Sequence, residues 1–150
     1  MITFQFTVRP GQGDPHGFDM GDMVVTGDLG TADSSGHVPD RGMMIYLSVV
    51  GLLDALLPFL RSDTRSLTYS GADTSFKLVV RRARGGLSVA DENGVIARTT
   101  AAELASAVLR AAEELGRSLP RQDPVASDWE TVLTAFRPLV PDGDGPRAGR

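Results

Sequence analysis

The chain has 150 residues and no cysteine, with a net charge of −4 and a sequence pI of about 5.1. This length is sufficient for one domain with a hydrophobic core, so folding needs neither a metal nor disulfides. The absence of cysteine excludes disulfides, thiolate metal sites and cysteine nucleophiles, and it is compatible with a cytoplasmic location. The negative charge argues against tight nucleic-acid binding, which depends on lysine and arginine.

The first 41 residues predict two strands and two loops. Apolar and polar residues alternate from Ile2 to Arg9, which is typical of a strand with one buried face. This start lacks the basic and apolar segments of a secretory signal. Glycine, proline and aspartate then indicate a loop up to Gly21, and residues 22–27 predict a second strand that can pair with the first. Residues 28–41 are polar and without periodicity, which predicts a second loop.

Residues 43–60 are apolar almost all round and include one acidic residue, Asp54. A membrane span is not expected, because Asp54 would cost about 2.5–3.5 kcal/mol within a bilayer and the flanks are poor in basic and aromatic residues. We therefore predict a buried core helix. Residues 43–47 are compatible either with the end of a strand or with the beginning of this helix. Asp54 is expected on the exposed side of the helix or paired with an arginine.

Residues 66–98 predict a four-stranded antiparallel meander. Short strand-like runs lie at 66–70, 75–82, 86–91 and 95–98, and segments containing glycine separate them. Asn93-Gly94 predicts a type I′ hairpin turn between the last two strands, since both residue types tolerate positive φ.

Two further helices are predicted from capping-box patterns. Thr100 and Glu103 begin the first, and apolar residues at helical spacing follow as far as Leu119. Ser127 and Glu130 predict the beginning of the second. That helix carries three large apolar residues on one face: Trp129, Leu133 and Phe136.

The order of elements, ββαββββαα, predicts an α+β fold. We expect one antiparallel sheet of about six strands with the helices packed on one face, which leaves the other face partly exposed. A single domain is expected over residues 1–140. Residues 141–150 have nothing to bury and are expected to form a disordered tail.

The sequence contains no familiar catalytic motif, and we expect neither a cofactor nor a metal. There is no GxSxG motif and only two histidines are present, both in predicted loops. A metal site formed by His16, Asp19 and His37 is the weaker alternative, because these residue types can bind divalent metals but their spacing matches no known motif.

Basic residues are concentrated in the meander. Residues 61–98 contain seven basic and four acidic residues, although the whole chain is acidic. Alternation places Lys77 and Arg81 on the open face of the sheet. Three other arginines complete the cluster, two near a turn and one on a later strand: Arg82, Arg84 and Arg98. These cations either keep an exposed sheet soluble and block edge pairing, or bind an acidic protein partner.

The leading hypothesis is a non-enzymatic protein-interaction module. The expected architecture resembles that of small bacterial proteins, including immunity proteins that neutralise toxins by binding them, and this resemblance implies a protein partner in the bacterial cytosol. A regulatory role is equally compatible. The alternative is a ligand-binding or catalytic domain, with a pocket between the sheet and the 43–60 helix or under the loops containing His16 and His37. Self-association through an exposed strand or sheet face is a third hypothesis, whereas membrane and nucleic-acid partners are not expected.

Overall fold

The computed structural model describes residues 1–141, and within them it contains eight strands and three α-helices. The strands are β1 (Thr3–Val8), β2 (Met20–Thr26), β3 (Thr31–Asp33), β4 (Met43–Met44), β5 (Ser66–Ser70), β6 (Lys77–Ala83), β7 (Gly86–Asp91) and β8 (Gly94–Thr99). The helices are α1 (Ile45–Arg61), α2 (Ala101–Gly116) and α3 (Ala126–Phe136), and a 3-10 turn follows at Arg137–Leu139. Apart from Pro141, the predicted disordered tail lies outside the described residues.

The strands form two antiparallel sheets of four strands each. In the first sheet, β2 pairs with β1 on one side and with β3 and β4 on the other. The second sheet is the predicted meander, with β5, β6, β7 and β8 in sequence order. The α+β class is therefore confirmed. The expected single sheet of about six strands is wrong, because β1 to β4 and β5 to β8 form separate sheets. The strand count is higher because β3 and β4 have only three and two residues, too few to produce a readable alternation.

Helix α1 lies at the centre of the core. Met43 and Met44 form β4 and the helix begins at Ile45, so both alternatives for residues 43–47 are partly correct. Leu53 and Leu56 have no exposed surface, whereas Asp54 lies on the exposed side. Within residues 1–141, no helix combines the length and apolar character that crossing a membrane requires.

Polar groups attach α1 to the second sheet. The Tyr69 hydroxyl on β5 donates to the Ser48 carbonyl oxygen at 2.6 Å, and Ser48 Oγ accepts from the backbone N–H of Ala72 at 2.8 Å. These contacts explain why Ser48, 1% exposed, is tolerated in the core. On another side of α1, the fully buried Tyr46 ring meets Trp129 of α3 edge to face, with centroids 5.6 Å apart.

The two sheets meet where the turn between β2 and β3 contacts β8. The backbone N–H of Leu29 donates to the carbonyl oxygen of Ile96 at 2.9 Å, and the Asp28 carboxylate accepts from the backbone N–H of Arg98 at 3.0 Å. Gly27 packs directly against Ala97, where any side chain on Gly27 would overlap. Backbone contacts, the Asp28 carboxylate and the close approach of Gly27 therefore hold this turn against β8.

The predicted type I′ turn is wrong, although the hairpin between β7 and β8 forms. Asp91 is paired with Gly94, so Glu92 and Asn93 occupy the loop. Among the described non-glycine residues, only Asp73 has positive φ. The Asp91 carboxylate accepts from the backbone N–H of Asn93 at 2.8 Å, a local side-chain bond that replaces the expected turn geometry.

One helix cap is as predicted and the other is not. Thr100 Oγ1 accepts from the backbone N–H of Glu103 at 3.1 Å, which confirms the N-terminus of α2. Helix α3 instead begins at Ala126, one residue before the predicted cap Ser127. The Asp123 carboxylate accepts from the N–H groups of Val125 and Gly17, at 2.9 and 2.8 Å, in the turn before the helix, and the N-cap residue Val125 makes no side-chain cap bond. The three predicted apolar residues of α3 are buried: Trp129, Leu133 and Phe136.

Arg9 joins two acidic residues on the open side of the first sheet. Its guanidinium donates to both oxygens of Asp22, at 2.9 and 3.0 Å, and to both oxygens of Asp40, at 2.9 Å each. Ser34 Oγ also donates to Asp22 at 2.7 Å. Hydrogen bonding to Arg9 lowers the pKa of both carboxyl groups.

Replacing Asp22 with asparagine is expected to make stability less sensitive to acid. Because the Asp22 pKa is lower in the folded chain, its contribution is present above the ordinary carboxyl pKa of about 4 and is lost as the pH falls through the folded value. Urea unfolding from pH 7 to pH 3 should therefore give a shallower decline for the variant, with about 1 kcal/mol lost at neutral pH. The control is Asp54→Asn, which removes one exposed carboxylate without touching the contacts of Arg9.

Candidate interaction surface

The open face of the second sheet forms a continuous surface, which we call the meander face. Alternate residues of the meander, such as Leu78, Val80, Leu87 and Val89, are buried in the core. The meander face is formed by the remaining strand residues: Ser66, Thr68, Ser70, Lys77, Val79, Arg81, Ser88, Ala90, Val95 and Arg98.

The strand register arranges these residues in rows across the sheet. One row contains Ser66, Arg81, Ser88 and Arg98, and the next contains Thr68, Val79, Ala90 and Val95. Neighbouring strands are about 4.8 Å apart, so the Cα atoms of Arg81 and Arg98 are about 10 Å apart. Lys77 lies four residues along β6 from Arg81, at about 13 Å. Three cations therefore surround a row of small apolar residues, the apolar strip, in which Val79 and Val95 have exposed surface and Ala90 between them is 8% exposed.

A register shift in β8 completes this apolar strip. The ladder between β7 and β8 is irregular at Val89 and Ala90, where β8 contains one additional residue. As a result Ile96 is 4% exposed, whereas its neighbour Val95 is 44% exposed. Val95 thus lies beside Ala90 and Val79 on the meander face rather than in the core.

The cations of the meander face form no ion pairs among the described residues, although the Asp28 carboxylate, which accepts from the backbone N–H of Arg98, lies beside one of them. Lys77, Arg81 and Arg98 are exposed, as is Arg84 in the turn between β6 and β7. Within residues 1–141 none of these four side chains forms an ion pair. Other arginines do form such pairs: Arg9, Arg41, Arg117 and Arg137. The meander face therefore presents positive charge that is available to a binding partner.

Arg82 lies on the opposite side of β6 from the other predicted binding residues. Its guanidinium donates to the carbonyl oxygens of Phe59 (2.6 Å) in the last turn of α1, and of Ser62 and Thr64 (2.9 Å) just after the helix. It also lies 4.7 Å from the centroid of the Phe59 ring. Arg82 thus satisfies carbonyl groups at the C-terminus of α1 and is not part of the meander face.

One end of the meander face is a cleft of about 540 Å3 beneath the loop between β3 and β4. Lys77, Val79, His37, Asp33 and Arg41 are among the lining residues. The Arg41 guanidinium pairs with both oxygens of the Glu92 carboxylate, at 2.9 and 3.0 Å, and lowers its pKa. This pair attaches the loop to the turn between β7 and β8 and encloses the cleft.

Two other clefts lie away from the meander face. One, of about 270 Å3, lies between β1 and α2, and another, of about 570 Å3, lies between the end of α2 and the beginning of α3. No residue of α1 lines any of the three clefts. The inward residues of this helix, such as Leu52 and Leu56, are at most 2% exposed.

The structure does not bring His16, Asp19 and His37 together. His16 Nδ1 accepts from the backbone N–H of Phe18 at 3.0 Å, and Asp19 accepts from the backbone N–H of His16 at 3.0 Å. His37 lies in the other loop, with Nε2 at 2.7 Å from the carbonyl oxygen of Asp33. Across residues 1–141, no three histidine or acidic side chains are placed to bind one metal ion. The geometry therefore gives no support to the alternative metal site.

No protein-family model matches the chain, and neither a curated protein nor a solved structure matches it. Function must therefore be inferred from the chemistry of the meander face.

Proposed function

We propose that the protein is a binding module whose meander face binds an acidic segment of another protein. The observation that carries this proposal is the arrangement of Lys77, Arg81 and Arg98, unpaired within residues 1–141, around the apolar strip of Val79, Ala90 and Val95. Protein interfaces commonly combine an apolar centre with arginine, and arginine can bind a carboxylate through two parallel hydrogen bonds.

Protection of a sheet edge does not explain Arg81, the central cation of this arrangement. Arg81 lies on β6, an inner strand with β5 and β7 on either side. Its side chain extends from the face of the sheet, where it cannot prevent another strand from pairing with an edge. A charge in this position instead supports contact between the sheet face and a partner.

The charge distribution also favours selective binding. The chain has a net charge of −4, so an acidic partner is repelled by most of its surface and attracted by the meander face. Such a distribution orients the partner during its approach and makes binding sensitive to salt. In this proposal the protein acts in the bacterial cytosol, as an immunity-like or regulatory binding protein.

Reversing two charges of the meander face should abolish binding. We expect Arg81→Glu/Arg98→Glu to reduce recovery of the partner at least about tenfold in affinity capture from native cells, because it replaces two carboxylate-binding groups with carboxylates. The control is Arg61→Glu/Arg121→Glu, which makes the same charge change at exposed positions elsewhere and should retain the partner. Quantitative mass spectrometry measures recovery, and circular dichroism verifies that both variants fold.

Two results would count against this function. Equal recovery of one protein by both double variants would exclude the meander face as its binding site. Co-purification of a small acidic metabolite with no protein would favour the alternative, a ligand-binding domain, for which the 540 Å3 cleft has a suitable volume.

A further inference from the structure

Strand β1 forms an unprotected edge of the first sheet. Within residues 1–141 it pairs only with β2, through six consecutive residue pairs without a bulge. Proteins usually protect such an edge with charged residues, proline or irregular geometry. The strand, Thr3–Val8, contains no charged residue, proline or glycine and consists of types that favour β structure, apart from Gln5. Its outer side is therefore competent to pair with another strand.

The ladder with β2 determines which backbone groups are available on that outer side. The backbone N–H of Arg9 donates to the carbonyl oxygen of Met20, the residue opposite it, at 2.9 Å. Hydrogen-bonded pairs alternate along an antiparallel ladder, so Thr7 and Gln5 also direct their backbone groups towards β2. The N–H and C=O groups of Phe4 and Phe6 consequently point outwards.

The sequence of β1 is symmetric about Gln5. The same residue types occur at equal distances before and after it: phenylalanine at positions 4 and 6, and threonine at positions 3 and 7. The flanking residues, Ile2 and Val8, are both apolar. A twofold axis at Gln5 would place Phe4 opposite the partner's Phe6, and both residues have outward backbone groups. Each such pair can exchange two hydrogen bonds, while threonine faces threonine on the other side of the sheet.

We propose that β1 pairs antiparallel with β1 of a second copy of this chain, about a twofold axis at Gln5. The first sheets of the two copies then become one continuous sheet. This interface is separate from the meander face, which belongs to the other sheet, so the proposal does not depend on the proposed function.

The charges along a stripe on one side of α2 support a second copy of this chain as the partner that pairs with β1. Ala102, Glu103, Ala107 and Arg110 line the cleft of about 270 Å3 that adjoins the beginning of β1. The same twofold axis reverses the direction of α2 in the second copy, so the acidic end of one stripe lies towards the basic end of the other. The two alanines allow close approach of the helices. The charges along this stripe are thus complementary to those of the same stripe in a second copy that runs in the opposite direction.

A cysteine at the axis tests the proposal directly, because the chain has no cysteine of its own. Gln5 would face its own copy in a non-hydrogen-bonded pair, for which the Cα–Cα distance is about 4.5 Å and a disulfide is feasible. Gln5→Cys should therefore give mostly covalent dimer under mild oxidation. Thr26→Cys, an exposed position one strand further from the edge, is the control and should cross-link much more slowly.

Charge substitutions provide a second measurement by sedimentation velocity. Gln5→Lys and Gln5→Glu should each weaken the dimer several-fold because like charges meet at the axis, and mixing the two variants should restore a heterodimer. The proposal is overturned if the wild-type chain is monomeric at high concentration. It is also overturned if Gln5→Cys cross-links no faster than Thr26→Cys.

Discussion

Replacing Arg82 with methionine is expected to lower the free energy of unfolding by about 2–3 kcal/mol, whereas Arg81→Met should change it by less than about 0.5 kcal/mol. The two arginines are adjacent on β6 but have opposite roles. Arg82 donates to three carbonyl oxygens at the end of α1 and contacts the Phe59 ring. Methionine retains an apolar contact but leaves these acceptors without their donor, while the exposed Arg81 has no comparable contacts.

Urea unfolding with an unchanged m value measures this difference. Arg82→Lys should fall between wild type and Arg82→Met, because lysine retains the charge but lacks the planar set of donors. Equal destabilisation by Arg81→Met and Arg82→Met would show that the contacts with α1 contribute little. The opposite pattern is expected for the proposed partner, since Arg81→Met should weaken its binding while the fold is preserved.

The same change from glycine to alanine is expected to have opposite effects at positions 27 and 51. A Cβ on Gly27 would overlap the carbonyl oxygen of Ile96 and the Cβ of Ala97, which is fully buried. Neither group can move without disturbing the contact between the two sheets. Gly27→Ala should therefore lower the free energy of unfolding by about 3 kcal/mol, at the upper end of the range for overpacking.

Gly51 lies on the exposed side of α1, where an added Cβ meets no atom within 4 Å. Alanine in the middle of a helix is favoured over glycine, so Gly51→Ala should raise the free energy of unfolding by about 0.5–1 kcal/mol. Thermal unfolding monitored by circular dichroism measures both variants. A neutral Gly27→Ala would mean that the turn can separate from β8 without loss of stability.

The parts of the fold that are predictable from the sequence are those with long periodic patterns. Strand β1, the four meander strands and the apolar face of α3 all have enough residues to reveal their period. The strand β3 is too short to show a period. Its pairing with β2 involves residues 24–26, which lie outside the three residues of β3 itself. The turn before α3 contains Asp123, whose carboxylate binds the N–H of Gly17, 106 residues away in sequence. No local pattern contains that information.

The candidate site was partly predictable for the same reasons. Alternation along β6 correctly places Lys77 and Arg81 on the open face, because it requires only that Leu78 and Val80 be buried. The exposure of Val95 arises from a register shift that alternation cannot anticipate. The carbonyl groups bound by Arg82 belong to another element, and their position follows only from the packing of α1 against the sheet.

The edge-to-face contact between Tyr46 and Trp129 provides an optical probe of the fold. Trp129 is the only tryptophan of the chain and is 3% exposed, so its fluorescence reports on the packing of α1 against α3. The meander face and strand β1 contain no tryptophan. A change in emission during unfolding would therefore report the loss of packing between α1 and α3. Unchanged emission when a binding partner is added would indicate that this packing is undisturbed.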